Sequence, residues 1–168
     1  LVPFSHEADV YVINTCAVTS KAGAQSRQMV RKAIRNNPEA RIVVTGCYAQ
    51  IASNEILKIG GDSVCLVGNG LKHQLADIAS FPKVCNLEMY MGDIGRKKEI
   101  SPLSTRRFSG RTRAFLKIQD GCNRFCSYCI VPYARGRSRS APSADILQQL
   151  SDFVKEGYRE IVLTGIHA

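Results

Sequence analysis

Long hydrophobic runs are missing from this 168-residue sequence. No window approaches the roughly 18 consecutive apolar residues that cross a bilayer, and no charged-then-apolar leader opens the chain. We therefore expect neither a membrane protein nor a secreted one. Histidine is also scarce: the three histidines show no partner spacing, and we interpret them as structural or solvated. With 45% apolar residues, the chain can form one large or two small packed domains.

Cysteine, by contrast, is abundant. The chain has seven, an odd number, and three of them fall within eight residues. Disulfide frameworks belong mostly to smaller, secreted chains. In a chain without export signals, clustered cysteines are more typical of metal ligands or catalytic groups, so we expect a reducing cytosol as the compartment.

The net charge of +9 is concentrated in the middle of the chain. Residues 91–140 carry twelve Lys and Arg against three Asp and Glu, whereas the flanking segments are nearly balanced. A concentrated basic field attracts polyanions, of which nucleic acid is the commonest. A solvated basic linker is the alternative that charge alone leaves open.

Strand-like and helix-like segments alternate in the first half of the chain. The sequence predicts buried strands and helices in turn over 9–15, 21–36, 41–45, 50–59, 63–67 and 72–79. This alternation predicts a parallel sheet with helices on its faces.

Periodicity fades over 81–113, where Pro and Gly are scattered among charges, and we interpret this stretch as a connection between two domains. Beyond it the sequence predicts a strand over 114–119, a helix over 144–155 and a strand over 159–164. These three elements form one β-α-β unit of a second α/β domain. Because the chain stops shortly after the last strand and starts without Met, we expect both of its ends to be cut.

Cys122, Cys126 and Cys129 have the spacing C-x3-C-x2-C immediately after a predicted strand. One short loop of this spacing can wrap three corners of a 4Fe-4S cubane and leave one iron open to another ligand. S-adenosylmethionine (SAM) can occupy that iron through its amino and carboxylate groups. Tyr128 suits stacking against an adenine ring. A structural zinc site is the alternative, but such sites normally close with four ligands.

Three motifs of this chain resemble a known family. Residues 111–139 closely resemble the radical-SAM segment of bacterial methylthiotransferases, most of all the branch that methylthiolates threonylcarbamoyladenosine in tRNA. Residues 14–19 (NTCAVT) and 44–50 (VTGCYAQ) are similar to the second and third cysteine motifs of that family's N-terminal domain. The motifs stand in the family's order and cover nearly the whole chain.

The resemblance implies an α/β fold in two parts. Residues 1–85 would form a parallel-sheet, flavodoxin-like N-terminal domain, 86–112 a basic linker, and 113–168 the first β-α-β part of a partial TIM-type radical-SAM barrel. Both parts would be truncated, since the family's first strand and its cysteine would precede Leu1.

Cys16 and Cys47 each follow a predicted parallel strand at its carboxyl end, the edge where ligands collect in open α/β sheets. Spacing alone leaves them as ligands or as buried small hydrophobes. The resemblance implies that they bind an auxiliary 4Fe-4S cluster. Cys65 and Cys85 match no ligand motif, and we interpret both as packing residues.

Three arginines, Arg135, Arg137 and Arg139, continue directly from the cysteine loop. Guanidinium groups fit phosphates and carboxylates, so these residues either hold a tRNA backbone or pair with acidic groups inside the protein. Gly165, at the end of its strand, resembles the place where the family's barrel approaches SAM.

The resemblance implies a cytoplasmic SAM-dependent transferase that adds a 2-methylthio group to N6-threonylcarbamoyladenosine next to the anticodon of tRNA. Its cofactors would be SAM and two 4Fe-4S clusters, one held by the catalytic cysteine loop. Its partners would be tRNA and an electron donor such as a flavodoxin or ferredoxin. We expect this piece alone to be inactive. The alternatives are a relative acting on N6-isopentenyladenosine or a ribosomal protein, and a non-catalytic metal- or RNA-binding module.

Overall fold

The computed structural model of the chain describes residues 2–81, 88–100, 108, 110 and 112–167. The chain divides into two compact units, Leu1–Ile94 and Gly95–Ala168. Cys85 and part of the predicted linker 86–112 lie outside the described residues.

The first unit alternates strands and helices. Its described elements are β1 (Val10–Thr15), α1 (Ser20–Asn36), β2 (Arg41–Gly46), α2 (Cys47–Ile51), α3 (Ser53–Gly60), β3 (Val64–Val67), α4 (Leu75–Ser80) and β4 (Glu88–Tyr90). The strands are parallel and lie in the order β1-β2-β3-β4, which confirms the predicted parallel sheet.

Three local predictions for this unit differ from the structure. The predicted helix 50–59 is two helices, because the backbone of Ala52 leaves the helical region between them (φ −128°, ψ 38°). The predicted helix 72–79 begins as a 3₁₀ turn, Asn69–Gln74, before α4. β4 falls where the sequence predicts a connection, since three residues are too few to show a strand's alternation.

The two central strands of the first unit are buried along their whole length. Every residue of β2 and β3 is buried, as expected for parallel strands covered on both faces. β1 alternates instead, with Val10 and Val12 exposed. α1 packs Val30 and Ala33 into the same core. Thr19 caps this helix by accepting a hydrogen bond from the Ala22 N–H.

A buried ion pair fixes β4 to the sheet. Arg41 of β2 donates to both carboxylate oxygens of Glu88 at 2.7 Å, reaching across β3. The hydrogen bond with Glu88 raises the pKa of Arg41. Cys65 of β3 is buried in the neighbouring core, and this burial raises the pKa of its thiol to about 11. A thiol that stays protonated at neutral pH fits a packing residue and not a metal ligand.

The described part of the second unit holds six elements. They are β5 (Arg113–Lys117), β6 (Gln119–Asp120), α5 (Val131–Arg135), β7 (Arg139–Ser140), α6 (Ser143–Lys155) and β8 (Glu160–Thr164). β5 and β8 are parallel with α6 between them in sequence, which confirms the predicted β-α-β unit. Its core is built by Ala114, Leu116 and Phe153.

The predicted strand 114–119 is divided at Ile118. The Ile118 N–H still donates to the carbonyl of Thr164, the last residue of β8, but the Ile118 carbonyl accepts from the Ala141 N–H. As a result, β6 does not pair with β8, the partner of β5, but pairs antiparallel with β7. This change of partner directs the chain into the cysteine loop.

Candidate metal centre

The cysteine loop leaves β6 through a position that requires glycine. Gly121 has φ +73°, in the left-handed region, and a Cβ there would collide with the backbone carbonyl oxygen of Arg137. The next N–H, that of Cys122, donates to the Gly136 carbonyl at 3.1 Å. The first cysteine of the loop is therefore anchored against the connection between α5 and β7.

The three loop cysteines are free thiols near the surface: Cys126 is exposed, and Cys122 and Cys129 are half-buried. The Cys129 N–H donates to the Cys126 carbonyl at 2.9 Å. The Arg124 N–H donates to Cys122 Sγ at 3.5 Å. In the described part of the chain, no three Cys, His, Asp or Glu side chains already converge as a metal site. The donor chemistry and the accessibility of the loop thus fit a cluster held by three thiolates. To hold it, the three cysteine side chains have to turn toward one another.

Phe125 holds the middle of the loop in an unusual conformation. Its φ of +46° lies in the left-handed region, which residues with a side chain rarely adopt. Its ring packs edge-on against Tyr133 of α5, with 5.8 Å between ring centroids. The guanidinium of Arg137 lies 5.9 Å from the same ring centroid. The segment between the first two cysteines is therefore tied to the helix that follows the loop.

Asp120, buried at the start of the loop, gathers the basic residues around it. Its carboxylate lies 3.2 Å from Lys117, 3.3 Å from Arg135 and 3.3 Å from Arg139. The sequence leaves two uses open for Arg135, Arg137 and Arg139. The structure gives the buried Arg139 and the half-buried Arg135 an internal partner, whereas Arg137 is exposed to solvent.

Cys16 and Cys47 lie at the same edge of the first unit's sheet. The residues just before them, Thr15 and Gly46, are partners in the parallel register of β1 and β2. Gly46 has φ +100°, and a Cβ there would collide with the Thr15 carbonyl oxygen. Cys16 is exposed and Cys47 is half-buried. The structure therefore brings the two cysteines to one sheet edge, and their role as cluster ligands stays a prediction.

Hydrogen-bond donors surround this edge. Asn69 Nδ2 lies 3.8 Å from Cys47 Sγ, and Lys72 Nζ donates to Asn14 Oδ1 at 2.9 Å. A cavity of about 280 Å³ is lined by Asn14 and Cys16 among other residues. Asn69 and Lys72 thus bring an amide and an ammonium group to this edge, which suits an anionic ligand.

Two family models match this chain in the order of its two units. Residues 1–68 match the uncharacterized protein family UPF0004, and residues 116–168 match the radical SAM superfamily. Over 164 residues, the chain is 43% identical to the threonylcarbamoyladenosine tRNA methylthiotransferase of Bacillus subtilis, covering 98% of this chain. The chain is thus similar to radical-SAM methylthiotransferases over nearly its whole length.

Other relatives match the same region of this chain. The threonylcarbamoyladenosine tRNA methylthiotransferase of Aquifex aeolicus is 41% identical over 98% of this chain. The tRNA-2-methylthio-N(6)-dimethylallyladenosine synthase of Thermodesulfovibrio yellowstonii is 31% identical over 95% of it. This chain spans 36–40% of the length of these three relatives.

The radical SAM match implies SAM and a 4Fe-4S cluster as cofactors. Cys16 and Cys47 fall within the first matched segment, and the three-cysteine loop falls within the second. Among the described residues, no helix has the length and apolar character needed to span a membrane.

The two residues predicted to contact SAM are both accessible. Tyr128 is 89% exposed on the cysteine loop. Gly165 is exposed directly after β8. Their contacts with SAM stay predictions, as do the ligand roles of the three loop cysteines.

Two buried polar residues beside the loop, Gln119 and Asp120, match none of the ligand motifs of the sequence. Gln119 makes five hydrogen bonds, and Asp120 holds three cations. The signal that could have revealed them is a polar pair that interrupts an apolar strand just before Gly121.

Proposed function

We propose that the full-length protein adds a 2-methylthio group to N6-threonylcarbamoyladenosine next to the anticodon of tRNA. The observation that carries this proposal is the placement of two cysteine sets in the two matched segments. Cys16 and Cys47 stand at the carboxyl edge of a parallel sheet, and the three-cysteine loop follows the first strand of a β-α-β unit. The 43% identity to a threonylcarbamoyladenosine tRNA methylthiotransferase supports the choice of substrate.

In this proposal Cys122, Cys126 and Cys129 hold the SAM-binding 4Fe-4S cluster. When bound, the cluster and SAM together supply reductive cleavage of SAM, and with it a radical able to remove hydrogen from carbon 2 of the adenosine. The exposed ring of Tyr128 stacks on the adenine of SAM. Gly165 leaves room for SAM at the end of β8, because its backbone carries no side chain.

Cys16 and Cys47 in this proposal belong to a second, auxiliary 4Fe-4S cluster, with a further thiolate from outside residues 1–168. Their position at one sheet edge and the donors Asn69 and Lys72 beside them support this role. The reductant is an electron donor such as a flavodoxin or ferredoxin, and a tRNA substrate places the protein in the cytoplasm.

For the tRNA, the exposed side chain of Arg137 is the favoured phosphate contact beside the loop. Arg135 contributes through the exposed part of its side chain, whereas Arg139 acts inside the protein on Asp120. The target adenosine has to leave its stack to reach the loop.

Nucleoside mass spectrometry of tRNA from a deletion strain tests the proposed substrate. We expect 2-methylthio-threonylcarbamoyladenosine to disappear and to return when the full-length gene is supplied. Cys126→Ala should not restore it, because two thiolates cannot hold the cluster. Cys65→Ala, a matched change at a buried packing cysteine, should restore it. Unchanged 2-methylthio-threonylcarbamoyladenosine in the deletion strain would disprove the proposal.

A second candidate substrate is N6-isopentenyladenosine, favoured by the 31% identity to the dimethylallyladenosine synthase. The same experiment separates the two, since loss of the 2-methylthio-isopentenyl nucleoside alone would select this candidate. If no tRNA nucleoside changed, mass spectrometry of ribosomal proteins would test the protein substrate. Stoichiometric zinc without SAM cleavage after anaerobic reconstitution would point to a non-catalytic module.

A further inference from the structure

The side chain of Gln119 joins three segments that surround the cysteine loop. It belongs to β6 and is 4% exposed. Its Oε1 accepts hydrogen bonds from the N–H groups of Ile166 at 2.7 Å and His167 at 2.9 Å. Its Nε2 donates to the Gly121 carbonyl at 2.8 Å and to Ser138 Oγ at 3.0 Å. One amide thus links the start of the loop, the approach to β7 and the residues that follow β8.

Only an amide side chain of this length can make these contacts. Backbone N–H groups donate and carbonyls accept, so the orientation of the Gln119 amide is fixed by its partners. A glutamate would turn an oxygen toward the carbonyls of Asp120 and Gly121, which the Gln119 nitrogen now contacts at 3.1 and 2.8 Å. An apolar side chain would leave the backbone groups on both sides without this partner.

A second contact joins the cysteine loop to the residues that follow β8. Arg124, inside the cysteine loop, has its Nη2 3.1 Å from Nε2 of His167. A guanidinium can only donate, so His167 Nε2 is the acceptor in this contact. The segment after β8 is therefore held both by Gln119 of β6 and by Arg124 of the cysteine loop.

We propose that Gln119 is a positioning residue for SAM, which fixes the segment after Gly165 relative to the cysteine loop. This inference rests on the proposed function, in which SAM binds the loop's cluster and lies along the end of β8. The cysteines reside on residues 122–129, and the hydrophobic core of the unit is formed elsewhere by Ala114, Leu116 and Phe153. Losing the Gln119 contacts should therefore shift the segment after Gly165 relative to the cysteine loop, while the thiolates and the hydrophobic core stay in place.

The test uses the full-length protein with Gln119→Met, Gln119→Glu and the control Gln148→Glu. Gln148 is exposed on α6 in the same unit, so its substitution makes the same chemical change away from the loop. We expect the iron content of both Gln119 variants to stay near that of the wild type, and their unfolding temperature to fall by only a few degrees through the lost hydrogen bonds. The KM for SAM should rise about tenfold or more, as loss of buried hydrogen bonds predicts, with a smaller change in kcat. The control should match the wild type.

Hydrogen exchange of the metal-free protein provides a readout without activity. In Gln119→Met the amides of Ile166 and His167 should exchange about tenfold faster, because they lose their acceptor. In Gln119→Glu these amides should stay protected, because an oxygen still accepts their hydrogen bonds. The KM for SAM should still rise, because the hydrogen bonds donated by Gln119 Nε2 are lost.

An unchanged KM for SAM in both variants would overturn the positioning role. So would a parallel loss of iron, folding and SAM affinity, since Gln119 would then support the whole unit. Absence of SAM cleavage by the wild type would instead overturn the proposed function, and exchange at Ile166 and His167 would still test the Gln119 link.

Discussion

At the scale of single residues, Asp120 controls the charge beside the cysteine loop. Burial by itself raises the pKa of its carboxyl group, but Lys117, Arg135 and Arg139 outweigh that effect and hold the pKa below its ordinary value. A depressed carboxyl pKa means that the folded protein prefers the ionised form more strongly than the unfolded chain does. The stability contributed by Asp120 is therefore fully present above the unfolded pKa near 4 and is lost as the pH falls through the folded pKa.

Asp120→Asn should destabilise the second unit by about 3 kcal/mol at neutral pH, because the buried guanidinium of Arg139 loses its counter-ion. The variant should also lose less stability than the wild type as the pH falls below about 4. Urea unfolding of the metal-free protein, with hydrogen exchange on peptides of the second unit, would measure both effects. Asp145→Asn, at an exposed position in the first turn of α6, should change stability by less than about 1 kcal/mol. Equal effects of the two substitutions would contradict the role of Asp120.

The cysteines of the candidate sites could be located from the sequence, because their spacing and their place after strands are local properties. Gln119 and Asp120 could not be recognised in the same way, since their importance comes from partners up to 48 residues away, such as His167. Burial of a polar side chain appears only when the partners are known. For the same reason, the sequence could not decide whether Arg139 holds a tRNA backbone or pairs with an acidic group inside the protein. The structure pairs it with Asp120.

At the scale of elements, the strands of the first unit were readable because β2 and β3 are continuous apolar runs. The division of the predicted helix at Ala52 could not be read from the sequence. Helix α2 starts directly at Cys47, before the predicted helix, and the chain must then turn at Ala52 to continue as α3. The start of α2 is fixed by Gly46, whose backbone lies against Thr15 of β1. A contact between neighbouring strands therefore decides where this helix begins.

Gly46→Ala should test that contact against a matched control. The alanine would be strained at φ +100° and would also collide with the Thr15 carbonyl oxygen, so we expect a loss of about 3 kcal/mol in the stability of the first unit. Gly61→Ala places the same group at φ +50° with nothing within 4 Å, and should cost only about 1 kcal/mol. Urea unfolding with hydrogen exchange on β1 and β2 peptides compares the two. A Gly61 effect as large as the Gly46 effect would show that backbone strain alone matters.

At the scale of the whole molecule, the basic residues described within 91–140 include some that pair inside the protein and some that lie at its surface. Lys117, Arg135 and Arg139 contact one internal carboxylate. Arg113 pairs with Glu160 at 3.1 Å on the surface of the β-α-β unit. Composition predicted a polyanion partner or a solvated linker, but it could not separate cations that pair inside the protein from those that face solvent. That separation depends on which carboxylates the fold brings near.

Arg137 remains exposed beside the loop, and it offers a direct test of tRNA contact. A cation that neutralises a phosphate releases a counter-ion, so Arg137→Gln should lower the slope of log affinity against log salt by about 0.7–0.9. Arg113→Gln removes the same charge from a residue already paired with Glu160, and should leave the slope nearly unchanged. Binding of the full-length protein to unmodified tRNA at several salt concentrations measures both slopes. If the two variants changed the slope equally, the tRNA would sense only net charge, and Arg137 would have no specific place in its contact with the protein.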